Sequence, residues 1–224
     1  MRKPLFFDPA NRLALACFEA SRAWFDGEKS CAEAVQKNCE LPREKFKDFL
    51  SIWGLARTAP KNRRDELAPK LAQIRIEDPS DLGSEAFSSF VEKLYEDRLT
   101  TGRPYSMVSK YLFCKNPLKF SPYDRYARRA LYERGELTRD AGYVAFLKAF
   151  ESFHTDVSED LKKASLTRDM FAIDDKQFDT EREFSRRVAD KYLMLLGGFG
   201  EYRMAAEVNK AKCRFPSETV SRFS

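Results

Sequence analysis

Apolar positions recur with a helical period along most of the chain. Leu13, Leu15, Ala16, Phe18, Ala20, Ala23 and Trp24 give a first helix a broad apolar face that ends at Gly27, and Asp8-Pro9 is a helix-start pair. Ser30 caps a short second helix through Ala32, Ala34 and Val35. Pro42 opens a third, with Phe46, Phe49, Leu50, Ile52 and Trp53 at helical spacing and a stop near Gly54. The spacing predicts a further helix over about Arg64 to Ile74, kinked or divided at Pro69. Ser84 caps another, with Phe87, Phe90, Val91, Leu94 and Tyr95 on one face. Thr138 opens a long helix through Tyr143, Phe146, Phe150 and Phe153 that breaks at Thr155 to Glu159, and Leu161 to Met170 is another helix or part of one. Asp174-Asp175 and Asp179 read as a turn. A final strong helix through Phe184, Val188, Tyr192 and Leu196 stops at Gly197-Gly198. No stretch shows clean alternation over five or more residues. The pattern predicts an all-α fold.

Ile76 to Gly83 is the clearest linker, dense in Asp, Pro, Ser and Gly. The expected organisation is one compact helical unit over 1–224, or two lobes of about 1–78 and 80–200 around a cleft, with a fraying basic end from Lys212 onward. A hydrophobic content of 43% and nineteen phenylalanines supply a largely aromatic core. Asp8-Pro9 interrupts the apolar run a signal peptide needs, and no stretch is long and apolar enough to span a bilayer, so a cytoplasmic, membrane-free protein is expected. The five cysteines (Cys17, Cys31, Cys39, Cys114, Cys213) are scattered, and His154 is the single histidine. That set argues against zinc and for reduced core thiols, and no metal or other cofactor is expected.

Charge changes the picture locally. The net charge is +5, but Thr101 to Arg134 alone carries eight Lys or Arg against Asp124 and Glu133. A concentrated basic segment fits a polyanionic partner, and an ordinary solvated helix face is the plainer reading. The segment holds a helix with Ser109 and Lys110, a loop with Pro117 and Pro122, and a new helix at Asp124. A proline can precede a helix but not continue one, so Asp124 falls at an N-cap, where free N–H groups favour a carboxylate. Arg125, Arg128 and Arg129 follow on one side, and Ala127, Ala130 and Leu131 on the other. Arg57 and Lys61, in the polar loop Ala56 to Arg64, are a second candidate phosphate contact.

The Ser-Lys helix, Pro122-Tyr123-Asp124 and the small and apolar tail Ala127, Ala130, Leu131 resemble the DNA glycosylases of the helix-hairpin-helix superfamily, in particular their 8-oxoguanine-glycosylase-like bacterial relatives. The resemblance covers about thirty residues. It implies two helical lobes around a cleft and excision of a modified base from DNA, in repair or in defence against phage. In that family an aspartate stabilises positive charge on the deoxyribose as the base leaves, and a lysine attacks the sugar carbon. Asp124 matches the aspartate and Lys110 the lysine, although the two stand closer in sequence than the family's pair usually does. The family's hairpin, with glycines flanking an apolar residue, is missing, and Thr101-Gly102-Arg103-Pro104 resembles at most a degenerate version of it. Arg103, Ser109, Lys115, Arg125, Arg128, Arg129, Arg57 and Lys61 are the expected nucleic-acid contacts, and Tyr105, Tyr111 and Tyr123 the expected base-stacking residues. The rival expectations are a non-catalytic nucleic-acid-binding helical protein and a helical interaction protein with no nucleic-acid role.

Overall fold

The computed structural model describes residues 9–38, 41–79, 85–174 and 177–222. Asp8, Cys39, Ser84, Asp175 and the second half of the expected linker lie outside them. All regular secondary structure among the described residues is helical, and no strand occurs among them. The helices are α1 (Pro9–Ala23), α2 (Lys29–Asn38), α3 (Arg43–Ile52), α4 (Arg64–Ala72), α5 (Ala86–Glu96), α6 (Tyr105–Lys115), α7 (Arg125–Glu133), α8 (Tyr143–Lys163), α9 (Glu181–Leu196), α10 (Glu201–Ala211) and α11 (Ser217–Arg222). Single 3-10 turns occupy Lys61–Arg63, Arg168–Phe171 and Lys212–Arg214. Gly27, at φ 148°, kinks the chain between α1 and α2, a backbone conformation that other residues rarely adopt.

The chain falls into two compact units, each assembled from separated segments. The first comprises Met1–Phe25, Asp124–Asp140 and Lys148–Ser224; the second comprises Asp26–Tyr123 and Ala141–Leu147. In the first unit α9 is central, packed by α1 on one side and α7 on another. Phe18 of α1 meets Phe171 and Phe215 edge-on at 5.0 and 4.9 Å, and Trp24 stacks on Phe178 at 4.6 Å. A reciprocal cap opens α9: Thr180 accepts from the Glu183 N–H, and the Glu183 carboxylate accepts from that of Thr180. Charges are buried on α9 as well, where Arg187 pairs with Asp190 and Arg186 with Glu151. Removing one partner of such a pair leaves an uncompensated buried charge.

In the second unit α6 is the central helix. Every residue from Met107 to Cys114 is buried, the property of a helix surrounded on all sides. Its partner α2 packs along it, and Phe49 of α3 meets Tyr111 edge-on at 6.4 Å. Phe87, Tyr105, Tyr123, Tyr143 and Phe146 form a second aromatic cluster, with Phe87 stacked on Tyr143 at 4.3 Å.

Several boundaries differ from the pattern-based expectation. α8 runs unbroken through Thr155 to Glu159, because Phe153, Val157 and Leu161 stay buried at helical spacing; the Thr155 and Ser158 hydroxyls donate to the carbonyls four residues back. The region after Gly200 continues as α10, and the end expected to fray forms a turn and α11, with Phe215 and Thr219 buried. Pro69 does lie inside α4, which is only nine residues long.

Candidate nucleic-acid interface

Asp124 has extended backbone angles (φ −92°, ψ 148°) and is the N-cap of α7. Its Oδ1 accepts the Tyr126 N–H at 2.8 Å, which satisfies one of the free donors at the helix start. The loop leading into it is fixed at three points within the second unit. Ser109 Oγ accepts the Tyr123 N–H at 2.8 Å while donating to the Ser106 carbonyl. The Tyr123 hydroxyl donates to the Ala141 carbonyl, and that of Tyr143 to the Ser121 carbonyl, each at 2.8 Å. Within the first unit, the end of α9 packs against α7. A Cβ built on Gly197 would lie 1.9 Å from the Tyr126 carbonyl oxygen, so only glycine permits this approach. Phe199 then covers the Tyr126 ring edge-on at 5.4 Å.

The outer face of α7 is cationic. Ala127, Ala130 and Leu131 are buried, which turns Arg125, Arg129 and Tyr132 outward. A depression of about 350 Å³ is lined there by Arg125, Arg128, Arg129, Tyr132, Glu133 and Arg139, among others. Arg125 lies over the Tyr126 ring at 4.6 Å and donates to its hydroxyl; Arg128 donates to the Arg139 carbonyl at 3.3 Å; Arg129 pairs with Glu133 at 2.7 Å. Four guanidinium groups and one carboxylate therefore line the depression, with a tyrosine that is 48% exposed. Arg139 and Tyr132 were not among the expected contacts. Tyr132 had a readable signal, four residues after Arg128 on the same helical face.

The other expected site residues separate into distinct roles. Lys110 belongs to the second unit and Asp124 to the first. Only 8% of Lys110 is exposed; its ammonium donates to the Trp53 carbonyl at 3.2 Å and lies 5.5 Å from the centre of the Trp53 ring. Ser109 is fully buried and holds the Tyr123 backbone, so it is a positioning group and not a phosphate contact. Tyr111 is core, at 1% exposure. Tyr123 is buried in the aromatic cluster, and Tyr105 is half-buried at its edge, 6.3 Å away. Arg103 and Lys115 are engaged by Glu92 and Glu77, while Arg57 and Lys61 are exposed in their loop.

A further constellation has the order of a catalytic triad. Glu151 Oε2 is 3.9 Å from His154 Nδ1, and His154 Nε2 is 2.9 Å from Ser185 Oγ. Burial, then the charge of Arg186, lowers the imidazole from 6.5 to about 4. A ring that holds protons so weakly is a poor general base near neutrality. Ser185 also lies inside α9, where its hydroxyl donates to the Arg182 carbonyl. The group is a buried polar contact between α8 and α9. Cys17 and Cys31 are also buried thiols; burial raises both, Cys31 to about 12, which makes them unreactive.

Among the described residues, no helix is long and apolar enough to cross a membrane. Comparison with protein families, with characterised proteins and with solved structures gives no match.

Proposed function

We propose that the chain binds DNA through the arginine face of α7 and excises a modified base with the help of the Asp124 carboxylate. The observation that carries this reading is the helix start itself: a half-buried, helix-capping carboxylate followed along the chain by a concave face of arginines. The guanidinium groups supply fixed donors for phosphate oxygens. They also raise the local concentration of a polyanion. Asp124 is held by the Tyr126 N–H, and the close approach of Gly197 fixes Tyr126 in turn, so its charge is preorganised. N-glycosidic cleavage builds positive charge on the sugar as the base departs, and a fixed carboxylate beside that sugar stabilises it.

The burial of Lys110 under Trp53 favours water, not the lysine, as the group that attacks the sugar. The products are then a free base and an intact strand carrying an abasic site. A two-lobed glycosylase architecture is part of the same reading. The experiment is incubation with duplexes carrying a panel of modified bases, followed by hot alkali to reveal abasic sites. Alkali-dependent cleavage on at least one duplex supports excision. DNA binding with no abasic sites on any duplex would leave a binding protein in which Asp124 is a helix cap alone.

A further inference from the structure

A second concave site lies in the second unit, between the start of α3 and the start of α4. Its volume is about 420 Å³, within the range of small-molecule sites. The floor is apolar: Leu41, Phe46 and Ala68 are each at most 6% exposed as residues yet line the cavity, with the Pro69 ring beside them. The rim is cationic, with Arg43, Lys47, Lys61 and Arg64 against the single carboxylate of Asp65. Three of the four cations are engaged. Arg43 pairs with Asp65 at 2.9 Å, Lys47 pairs with Glu44 at 3.1 Å, and Arg64 donates to the Ala56 and Ala59 carbonyls. Lys61 has no ion-pair partner among the described residues. An apolar floor beneath an excess of positive charge complements one ligand chemistry, an apolar body carrying an anionic group.

We infer that this cavity binds a small organic anion, with a flat or branched apolar body on Leu41, Phe46 and Ala68 and a carboxylate or phosphate at Lys61. The inference does not rest on the α7 face, none of whose residues lines this cavity, and it assigns Lys61 to a small anion in place of a nucleic-acid phosphate. Three features act together. The floor removes apolar ligand surface from water. Arg64 is already fixed by backbone carbonyls, so it loses little freedom on binding. Lys61 gains a partner without breaking an existing ion pair.

Titration calorimetry on the full chain tests this with three probes: 2-naphthoate, 1-naphthyl phosphate and the neutral 2-naphthalenemethanol. The two anions separate carboxylate from phosphate preference. At least one is expected to bind saturably, about tenfold or more tighter than the neutral probe. Lys61→Glu is exposed and disturbs no contact, so the protein stays folded; it is expected to weaken the anion about tenfold and leave the neutral probe unchanged. Arg125→Glu, on α7, reports any anion held by the α7 face and is expected to leave the Lys61-dependent binding in place. Absence of saturable anion binding, equal affinity for the neutral probe, or equal weakening by Arg125→Glu and Lys61→Glu would each overturn the inference.

Discussion

Gly197 provides the most direct test of how α7 is held. Its backbone angles (φ −77°, ψ 4°) suit any residue, so alanine there introduces no conformational strain. The cost is steric alone. The new Cβ would sit 1.9 Å from the Tyr126 carbonyl oxygen and 2.6 Å from its carbon, whereas real Cβ atoms essentially never come within 3.0 Å. The α7–α9 contact must therefore open by about 1 Å, and both atoms are backbone, so no side-chain rotation relieves it. Overpacking a well-filled interface costs ~1–3 kcal/mol, and the backbone clash places Gly197→Ala at ~3 kcal/mol. For a chain of this size that is a fall in Tm of ~6–12 °C by calorimetry. Gly198→Ala is the control: φ is +88°, the nearest atom is 3.6 Å away, and left-handed strain alone costs ~1–2 kcal/mol. Equal melting of Gly197→Ala and wild type would refute the close approach and, with it, the rigid seat of Asp124. Because that seat positions the arginine face, DNA affinity is expected to fall in Gly197→Ala and to be unchanged in Gly198→Ala.

Other predictions follow from the same geometry. Replacing Arg125 and Arg139 together by glutamine should flatten the slope of log affinity against log salt by ~1–2, measured by fluorescence anisotropy; an unchanged slope places this face away from phosphate. Borohydride should trap no protein–DNA adduct, because Lys110 is enclosed; an adduct lost in Lys110→Gln would restore it as the nucleophile. Acid should destabilise the fold through His154. Its folded value of about 4 lies below the unfolded 6.5, so the unfolded chain takes up the proton first, and stability present above pH 6.5 is lost as pH falls towards 4. The loss is at most ~3 kcal/mol and ~1–2 kcal/mol after solvent screening, and His154→Gln should remove that part of the denaturation profile.

The helix start at Asp124 was legible in the sequence because its cause is local. Proline two positions earlier, a carboxylate and an apolar stripe on the following turns leave few other structures. The amphipathic face of α7 was legible for the same reason. The fate of α6 was not, because a helix buried on every side carries no polar stripe to say which way Ser109 and Lys110 turn. Ser109 stands beside Lys110 in the sequence, but its bond to the Tyr123 N–H spans fourteen residues and depends on how the loop folds back. Gly197 reads in sequence only as a helix stop, since nothing local reveals that another backbone lies against it. Arg139 gives no such signal because it lies beyond the end of α7 and reaches the depression through the following loop. Thr155 to Glu159 reads as a break because hydroxyls and acids weaken helices in isolation, and the burial of Phe153, Val157 and Leu161 overrides that preference.

The measurement that bears most directly on the central claim is base excision by Asp124→Asn. Asparagine caps a helix about as well as aspartate but carries no charge, so stability and chemistry separate in one variant. Asp124→Asn is expected to melt within ~1 kcal/mol of wild type and to bind DNA at least as tightly, since a negative charge beside phosphate is gone. Its rate of abasic-site formation on the preferred duplex should fall ~100-fold or more, the scale on which one preorganised electrostatic group acts. Excision at the wild-type rate by folded Asp124→Asn would contradict the account and leave the carboxylate as a helix cap and nothing more.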